Sequence, residues 1–415
     1  MGTETIRTNR NFLLLWSGNA VSLIGVHGAR IAYPLLVLAL TGSPVHAGWI
    51  GFAVNAPGML FPLPAGVVAD YGDRRRVLVR CQVVAAAAAA AACVFAIQPD
   101  SQWVWVLYVA AFVETSTGVF YGASEFGAAR DVVPVAQRPT AMSMLEALQP
   151  LAILIGRGTG TALLGIARWL PFAIDAVTSV ICLVTLRELR IGTPTPPPRD
   201  HVDRGVRALA GRVVAGLRVV WRDPFLRSTT PVIAVSNVVV QITLLQIMVG
   251  LQEDGQPVWM VGVVLAATGL VGVPAAWVAS RLVGRVATQQ VYRTALWSWT
   301  ALLIPLTFTA NPIALSACWG GIGVVGIVNN VALAMYRLER VPDDTLGRAT
   351  AGVILVTTAG AALGAPIAGY LLRGFGTWGT SVVALALMAA SALCGTMIDI
   401  HQQREVRTIS GLRIQ

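Results

Sequence analysis

Apolar residues in this chain fall in long runs separated by short polar breaks, and the breaks are where arginine gathers. A helix rises 1.5 Å per residue, so an apolar run of about 20 residues crosses the ~30 Å hydrocarbon core of a bilayer. Twelve such runs are predicted, at residues 12–39, 46–69, 78–97, 102–124, 140–166, 169–186, 226–250, 257–280, 294–310, 313–336, 349–372 and 376–398. The run starting near Phe12 outlasts the core of a signal peptide and reads as a first span rather than a cleaved leader.

The breaks differ in charge. Alternate ones carry Arg7 and Arg10; Arg74, Arg75, Arg76 and Arg80; Arg130 and Arg138; a cluster in the central connection; Arg281, Arg285 and Arg293; Arg337, Arg340 and Arg348; and Arg404, Arg407 and Arg413. The other side carries Arg168 and Arg373. Cations are retained on the cytoplasmic face, so both termini are expected there, in a protein crossing the inner membrane of a bacterium many times.

Composition narrows the class further. With 55% hydrophobic and 12% charged residues and a mean hydropathy of +0.69, the chain is too apolar for an ordinary soluble fold. A net charge of +10 would suggest a nucleic-acid partner in a soluble protein, but these cations lie between spans and set topology, so no nucleic acid is expected. All 30 basic residues are arginine, a usage that fits a high-GC bacterium. Cys81, Cys93, Cys182, Cys318 and Cys394 show no paired spacing, so neither a disulfide framework nor a metal site is expected. No nucleotide loop, catalytic triad or cofactor motif is found, so an enzyme is not expected and no cofactor is assigned.

The midpoint is a linker. Prolines in IGTPTPPPRD, after Arg190, give a stiff extended segment. Beyond it Val206, Leu209, Val213, Leu217 and Val220 share one helical face, which reads either as an amphipathic helix on the inner membrane surface or as an ordinary linker helix. The expected domains are a six-helix half at 1–190, a cytoplasmic linker at 191–225, a second six-helix half at 226–398 and a tail at 399–415. A weak repeat joins the halves. Val133-Pro134 precedes one span as Val341-Pro342 precedes another, and Gly66 to Leu78 has a degraded echo from Ala279 to Arg285 about 210 residues on.

That first stretch, GVVADYGDRRRVL, packs Asp70, Asp73, Arg74, Arg75 and Arg76 into seven residues. Gly66 would allow two helix backbones to approach, and Asp70 sits where a carboxylate could meet a helix N-terminus or an Arg. The pattern closely resembles the loop between the second and third helices of the major facilitator superfamily, and more narrowly its macrolide and siderophore (enterobactin exporter-like) efflux branch, departing from it at Tyr71. The segment Val341 to Arg348 resembles the loop before the eleventh helix, so the likeness spans the chain. It implies an all-α integral membrane fold of twelve helices in two pseudo-symmetric halves, with Gly66, Asp70, Asp73, Arg74 and Arg75 as a gating loop. Gly156 to Thr161 resembles the family's glycine-rich antiporter motif, with Arg157 in place of its usual proline; Gly156, Gly160, Gly364 and Pro366 are expected to pack helices.

Ionisable groups within spans are costly and mark function. They are His27, Arg30, Glu114, Glu146, Arg157 and Asp175, all in the first half. Glu114 lies about 18 Å from the outer end of its span, near mid-membrane. A carboxyl group in a low dielectric holds a proton more readily than in water, and a nearby Arg opposes this, so Glu114 is the first candidate for a proton carrier and His27 the second. Either could instead serve as a hydrogen-bonding group between helices. Arg157 and Asp175 are placed to pair, whether for structure or transport. Uncharged cavity candidates are Asn55, Asn237, Gln241, Gln246, Asn329 and Asn330, with Tyr33, Trp49, Tyr121 and Trp319 as aromatic ones. The family resemblance, more than any of these sites, implies proton-coupled export of a small amphiphilic molecule by a monomer in the lipid bilayer, with protons and cargo as its ligands. The alternatives are an uptake permease and a non-transporting receptor or assembly factor.

Overall fold

A computed structural model describes residues 6, 8–98, 100–189, 206–282 and 285–412. The fold is helical throughout. The first half comprises α1 (Arg10–Thr41), α2 (Pro44–Leu60), α3 (Pro62–Tyr71), α4 (Arg74–Ile97), α5 (Trp105–Val132), α6 (Arg138–Ile166) and α7 (Leu170–Glu188). The linker contributes α8 (Val206–Arg222). The second half comprises α9 (Pro224–Glu253), α10 (Val258–Leu270), α11 (Gly272–Leu282), α12 (Thr288–Phe308), α13 (Pro312–Arg340) and α14 (Asp343–Leu412).

Local chemistry sets these boundaries. The Asn9, Asp73, Asp223 and Asn311 side chains accept from the first-turn N–H groups of α1, α4, α9 and α13, satisfying donors that a helix start leaves unpaired. Proline opens α2, α3, α9 and α13, where its missing N–H is not needed. Gly42, at φ 62°, ends α1. Gly376, at φ 65°, divides α14 into two arms, a left-handed conformation that residues with a Cβ avoid.

Each predicted apolar run falls on a helix, a bent helix pair or one arm of α14. Seven helices are long and apolar enough to cross a membrane, or eight if α2 and α3, bent by 48°, form one span. Large apolar side chains such as Val94, Ile166, Phe308 and Ile313 point outward, a surface suited to lipid rather than water. The protein is a multi-pass membrane protein. The second helix of each half is interrupted in the same way, α2/α3 before Pro62 and α10/α11 before Pro274, and Pro64 and Pro274 are 210 positions apart like the degraded loop echo.

Packing defines two halves and their seams. In the first half α1 packs on α6 and α7, and α4 on α5 and α7; in the second, α9 and α12 pack on α14, and α10 on α13. Two seams cross between halves, α2 on α14 and α6 on α10. The first lies toward the Arg-poor end and the second runs along the middle of α6. Gly48 lies against Ala365, Pro366 and Gly369; Gly369 against Pro44 and Val45; Gly269 against Leu154. At the Arg-rich end the charge loop ties helices of one half together. Arg74 pairs with Asp131 and donates to the Gly127 carbonyl at 3.1 Å, while Arg75 donates to Leu186 and Arg187 carbonyls at the end of α7. Asp70 is exposed and forms no ion pair among the described residues. Gly66 has open space where a Cβ would stand. The close helix approach expected at Gly66 is therefore not made, because the halves meet at the opposite end.

The apolar stripe expected on the linker helix is only partly described: residues 190–205 and the side chains of Val206, Leu209 and Val213 lie outside the described set. Where described, α8 docks on protein. Gly216 sits against the Arg348 carbonyl and Gly352 of α14, and Val220 is fully buried.

Candidate functional site

The site begins with glycines on α1. At Gly25 a Cβ would stand 2.9 Å from Asp175 Oδ1, and Gly28 faces Gly156 and Gly160 of α6. With nothing larger at these positions, α6 and α7 close directly on α1 and bring their polar residues to the level of Arg30. Arg30 then acts on both Glu114 of α5 and Asp175 of α7, and those carboxyls face one another. Tyr33 Oη, one turn further along α1, donates to Glu114 Oε2 at 2.9 Å, and its fully buried ring packs 4.9 Å from that of Phe172. Among the described residues Glu114 Oε1, both Asp175 carboxylate oxygens and Arg30 Nε have no hydrogen-bond partner, and Arg30 makes no ion pair within 4 Å. The two carboxyls thus lie within the field of one guanidinium without contacting it, in an interior where charge is expensive unless matched.

A cavity of about 170 Å³ lies beside this cluster, between the halves. Its polar wall is His27, Arg30, Asn55, Arg157 and Gln241, and its apolar wall includes Ile31, Leu244 and Met248. No carboxylate lines it. A second pocket, of about 120 Å³, lies within the first half and is lined by Glu114, Glu125, Gln82 and Gln149. His27 and Arg30 border both. His27 Nε2 is 3.3 Å from Gln149 Oε1.

Several sequence expectations are corrected here. Arg157 and Asp175 do not pair: Arg157 turns toward the second half, donating to the Leu265 carbonyl at 3.1 Å and Thr268 Oγ1 at 3.3 Å on α10. Asp175 instead packs against Gly25 of α1. Asn329 is not a cavity residue. It is fully buried on α13, with neither amide atom hydrogen-bonded. Asn237 bonds the Thr357 carbonyl away from the cavity, and Gln246 lines a separate pocket at the Arg-poor end. Asn55 and Gln241 do line the cavity, each with its amide tied to a carbonyl, Gly51 and Ala361 respectively. Tyr121 is buried against Cys182, and Trp319 is buried without a partner for its indole N–H. Glu146 of α6 is exposed and does not line the first-half pocket.

Gly156 and Gly160 pack on α1 itself, Gly156 with Cβ space limited to 2.6 Å from the Ile24 carbonyl. Gly364 meets Val238 and Gln241 of α9, and Pro366 meets Gly48. Glu125, 6% exposed, was missed. The predicted span stopped at residue 124, whereas α5 runs on to Val132 and encloses it. Its spacing of 11 from Glu114, about three helical turns, was the available signal.

The sequence profile of the Major Facilitator Superfamily matches residues 15–338, over three quarters of the chain. The chain belongs to the major facilitator superfamily. Among relatives of this superfamily member, the multidrug efflux pump Tap of Mycolicibacterium fortuitum is 28% identical over 51% of each chain. The MFS-type transporter y4rN of Sinorhizobium fredii is 27% identical over 85% of this chain and 87% of its own. Macrolide efflux protein A of Streptococcus pyogenes is 23% identical over 43% of this chain and 44% of its own. The chain thus spans about half the length of Tap and less of the macrolide protein. Among solved structures, the nucleoside transporter NupG superposes with a TM-score of 0.72 at 12% identity, covering 94% of this chain and 98% of that one. A bacterial homologue of the lysosomal transporter Spinster, inward-facing and unoccupied, gives 0.69 at 12%, covering 96% and 98%. The likenesses to these solved structures show the major facilitator fold.

Proposed function

We propose that the protein exports a small amphiphilic molecule across the inner membrane of a bacterium, in exchange for protons, by alternating access of its two halves. The observation that carries this reading is the pair of buried carboxyls, Glu114 and Asp175, near the cavity-lining Arg30. Carboxyls withdrawn from water but within reach of a cavity can take and release protons as exposure alternates. The efflux roles in the names of Tap and macrolide efflux protein A support the direction. The cavity wall is rich in donors, from guanidinium and amide groups, over an apolar floor. That chemistry fits cargo carrying several acceptor oxygens on an apolar frame.

In this reading the Arg-rich end is cytoplasmic, both termini lie there, and a monomer suffices. The present conformation, sealed at the Arg-poor end, is the inward-open one. Reversal must release Arg157 from α10 and part Gly48 from α14, while Asp70 and Arg74 join α3 to the start of α14. Asp70→Asn should weaken that inner closure and reduce export without affecting insertion. Labelling of single Cys residues in the inner vestibule should rise, and unchanged labelling would remove Asp70 from the gate.

The function itself is tested in proteoliposomes with a radiolabelled macrolide as probe. Uphill accumulation should appear when the lumen is made acidic and vanish when a protonophore collapses the gradient. Accumulation indifferent to the gradient would remove proton coupling.

A further inference from the structure

One face of α5 carries Glu114, Gly118, Tyr121, Gly122 and Glu125, spaced so that they line the first-half pocket together. Glu114 and Glu125 are about 16 Å apart along the helix and about three turns apart in rotation, so both project to the same side. Glu114, at mid-membrane, is two-thirds of the way from the Arg-rich end of α5, and Glu125 is two turns from that end. Glu125 is nearly fully buried, and its Oε1 has no hydrogen-bond partner. Nothing in the cluster around Arg30 needs it for structure.

Between the two acids, the wall is polar on three helices. Ser22 of α1 exchanges hydrogen bonds with Gln82 of α4, and Gln149 of α6 faces His27. At the Arg-rich side Glu125 meets Asn19 of α1 and the influence of Glu146 on α6. The other ionisable groups that face this stretch are His27 and Arg30 on α1, Tyr121 on α5, Cys81 on α4 and Cys182 on α7. The pocket of about 120 Å³ has room for several waters, each needing about 10–15 Å³ of such volume and two to four polar partners. Gly122 keeps that room open, with nothing within 4 Å of where a Cβ would stand, and Gly118 has only the tip of Arg30 nearby.

We propose that Glu125 is a proton relay, passing protons between water at the Arg-rich side and Glu114 along a water-filled groove in the first half, beside the cargo cavity. Each transfer moves one proton: during export protonated Glu114 releases it through groove water to the Glu125 carboxylate, which passes it on toward the Arg-rich side and is itself left ionised; a drop in pH drives the same steps in reverse. Cargo and protons thereby approach Arg30 from two different cavities, which prevents either from blocking the other's path. The relay rests on the proton-coupled reading above, and its test needs no cargo.

The protein is placed in lipid nanodiscs, and carboxyl protonation is followed by time-resolved infrared difference spectroscopy after a drop in pH. The Glu114 signal is assigned by its loss in Glu114→Gln. Glu125→Gln should remove one further titrating carboxyl and delay Glu114 protonation about ten-fold or more, and Glu125→Asp should recover most of the rate. Gly122→Leu fills the groove without removing an acid, so it should impose the same delay while Glu125 still titrates. Glu114 protonation at the wild-type rate in Glu125→Gln overturns the relay. Should that variant not fold, a wild-type rate in Gly122→Leu overturns it instead. Coupled transport is read separately in the macrolide assay, so loss of coupling in the wild type would be distinguished from loss of the relay.

Discussion

The two halves share an architecture but treat buried polarity in opposite ways. In the second half the buried polar side chains are largely Thr and Ser: Thr229, Ser236, Thr243, Thr300 and Thr307 each donate to the carbonyl four residues back on their own helix. Such groups are satisfied locally and ask nothing of neighbouring helices. In the first half, the buried polar groups include Glu114, Glu125, Asp175 and His27 together with Arg30, and they reach across α1, α5, α6 and α7. Self-satisfied helices can move as a body without breaking side-chain bonds. Cross-helix charges respond to every proton and to every shift of a neighbour. On the function proposed above, proton chemistry belongs to the first half and a moving, cargo-facing wall to the second.

The largest expected effect comes from removing the cation at the centre of this contrast. Arg30→Met takes the field of the guanidinium from Glu114 and Asp175, and leaving buried carboxylates uncompensated costs about 3 kcal/mol. The loss should be greatest at alkaline pH and shrink in acid, where the carboxyls escape by taking protons. Apparent melting midpoints in one detergent across a pH series check this; a pH-independent loss would mean the acids do not depend on Arg30. Next in size is Gly160→Leu, which forces a side chain into the Gly28 backbone. Overpacking of this kind costs about 1–3 kcal/mol. Gly364→Leu should cost a similar amount against Val238 and Gln241, because glycine seams, unlike charges, are common to both halves. A tolerant second half would break that equivalence. The smallest effect should have the opposite sign. Asn329→Leu removes a buried amide with no partner, and should raise the melting midpoint slightly, corresponding to about 1 kcal/mol, with transport intact. Loss of transport would place a working polar group in the second half.

Much of this contrast could be read from the sequence, since ionisable residues in apolar runs stand out against leucine and valine. His27, Arg30, Glu114 and Asp175 were found that way, and the structure brings Arg30, Glu114 and Asp175 together. What could not be read was direction around the helix axis. Arg157 and Asp175 are one helix apart in sequence, but Asp175 packs on Gly25 of α1 while Arg157 faces α10. Asn329 resembles a cavity amide in sequence, yet rotation of α13 turns it into the core. Glu125 was hidden by a boundary error, because its neighbours after residue 124 are polar enough to look like a loop. Gly66 keeps the composition of a packing residue, but what it packs against depends on which end of the molecule is closed.

The most direct test of where coupling resides is pH-gradient-driven macrolide transport by Glu114→Gln in proteoliposomes, measured beside downhill exchange without a gradient. A neutral amide resembles the protonated acid but cannot release a proton. Uphill transport should therefore be abolished while downhill exchange continues near the wild-type rate. Full concentrative transport by Glu114→Gln would contradict the assignment of proton coupling to this cluster.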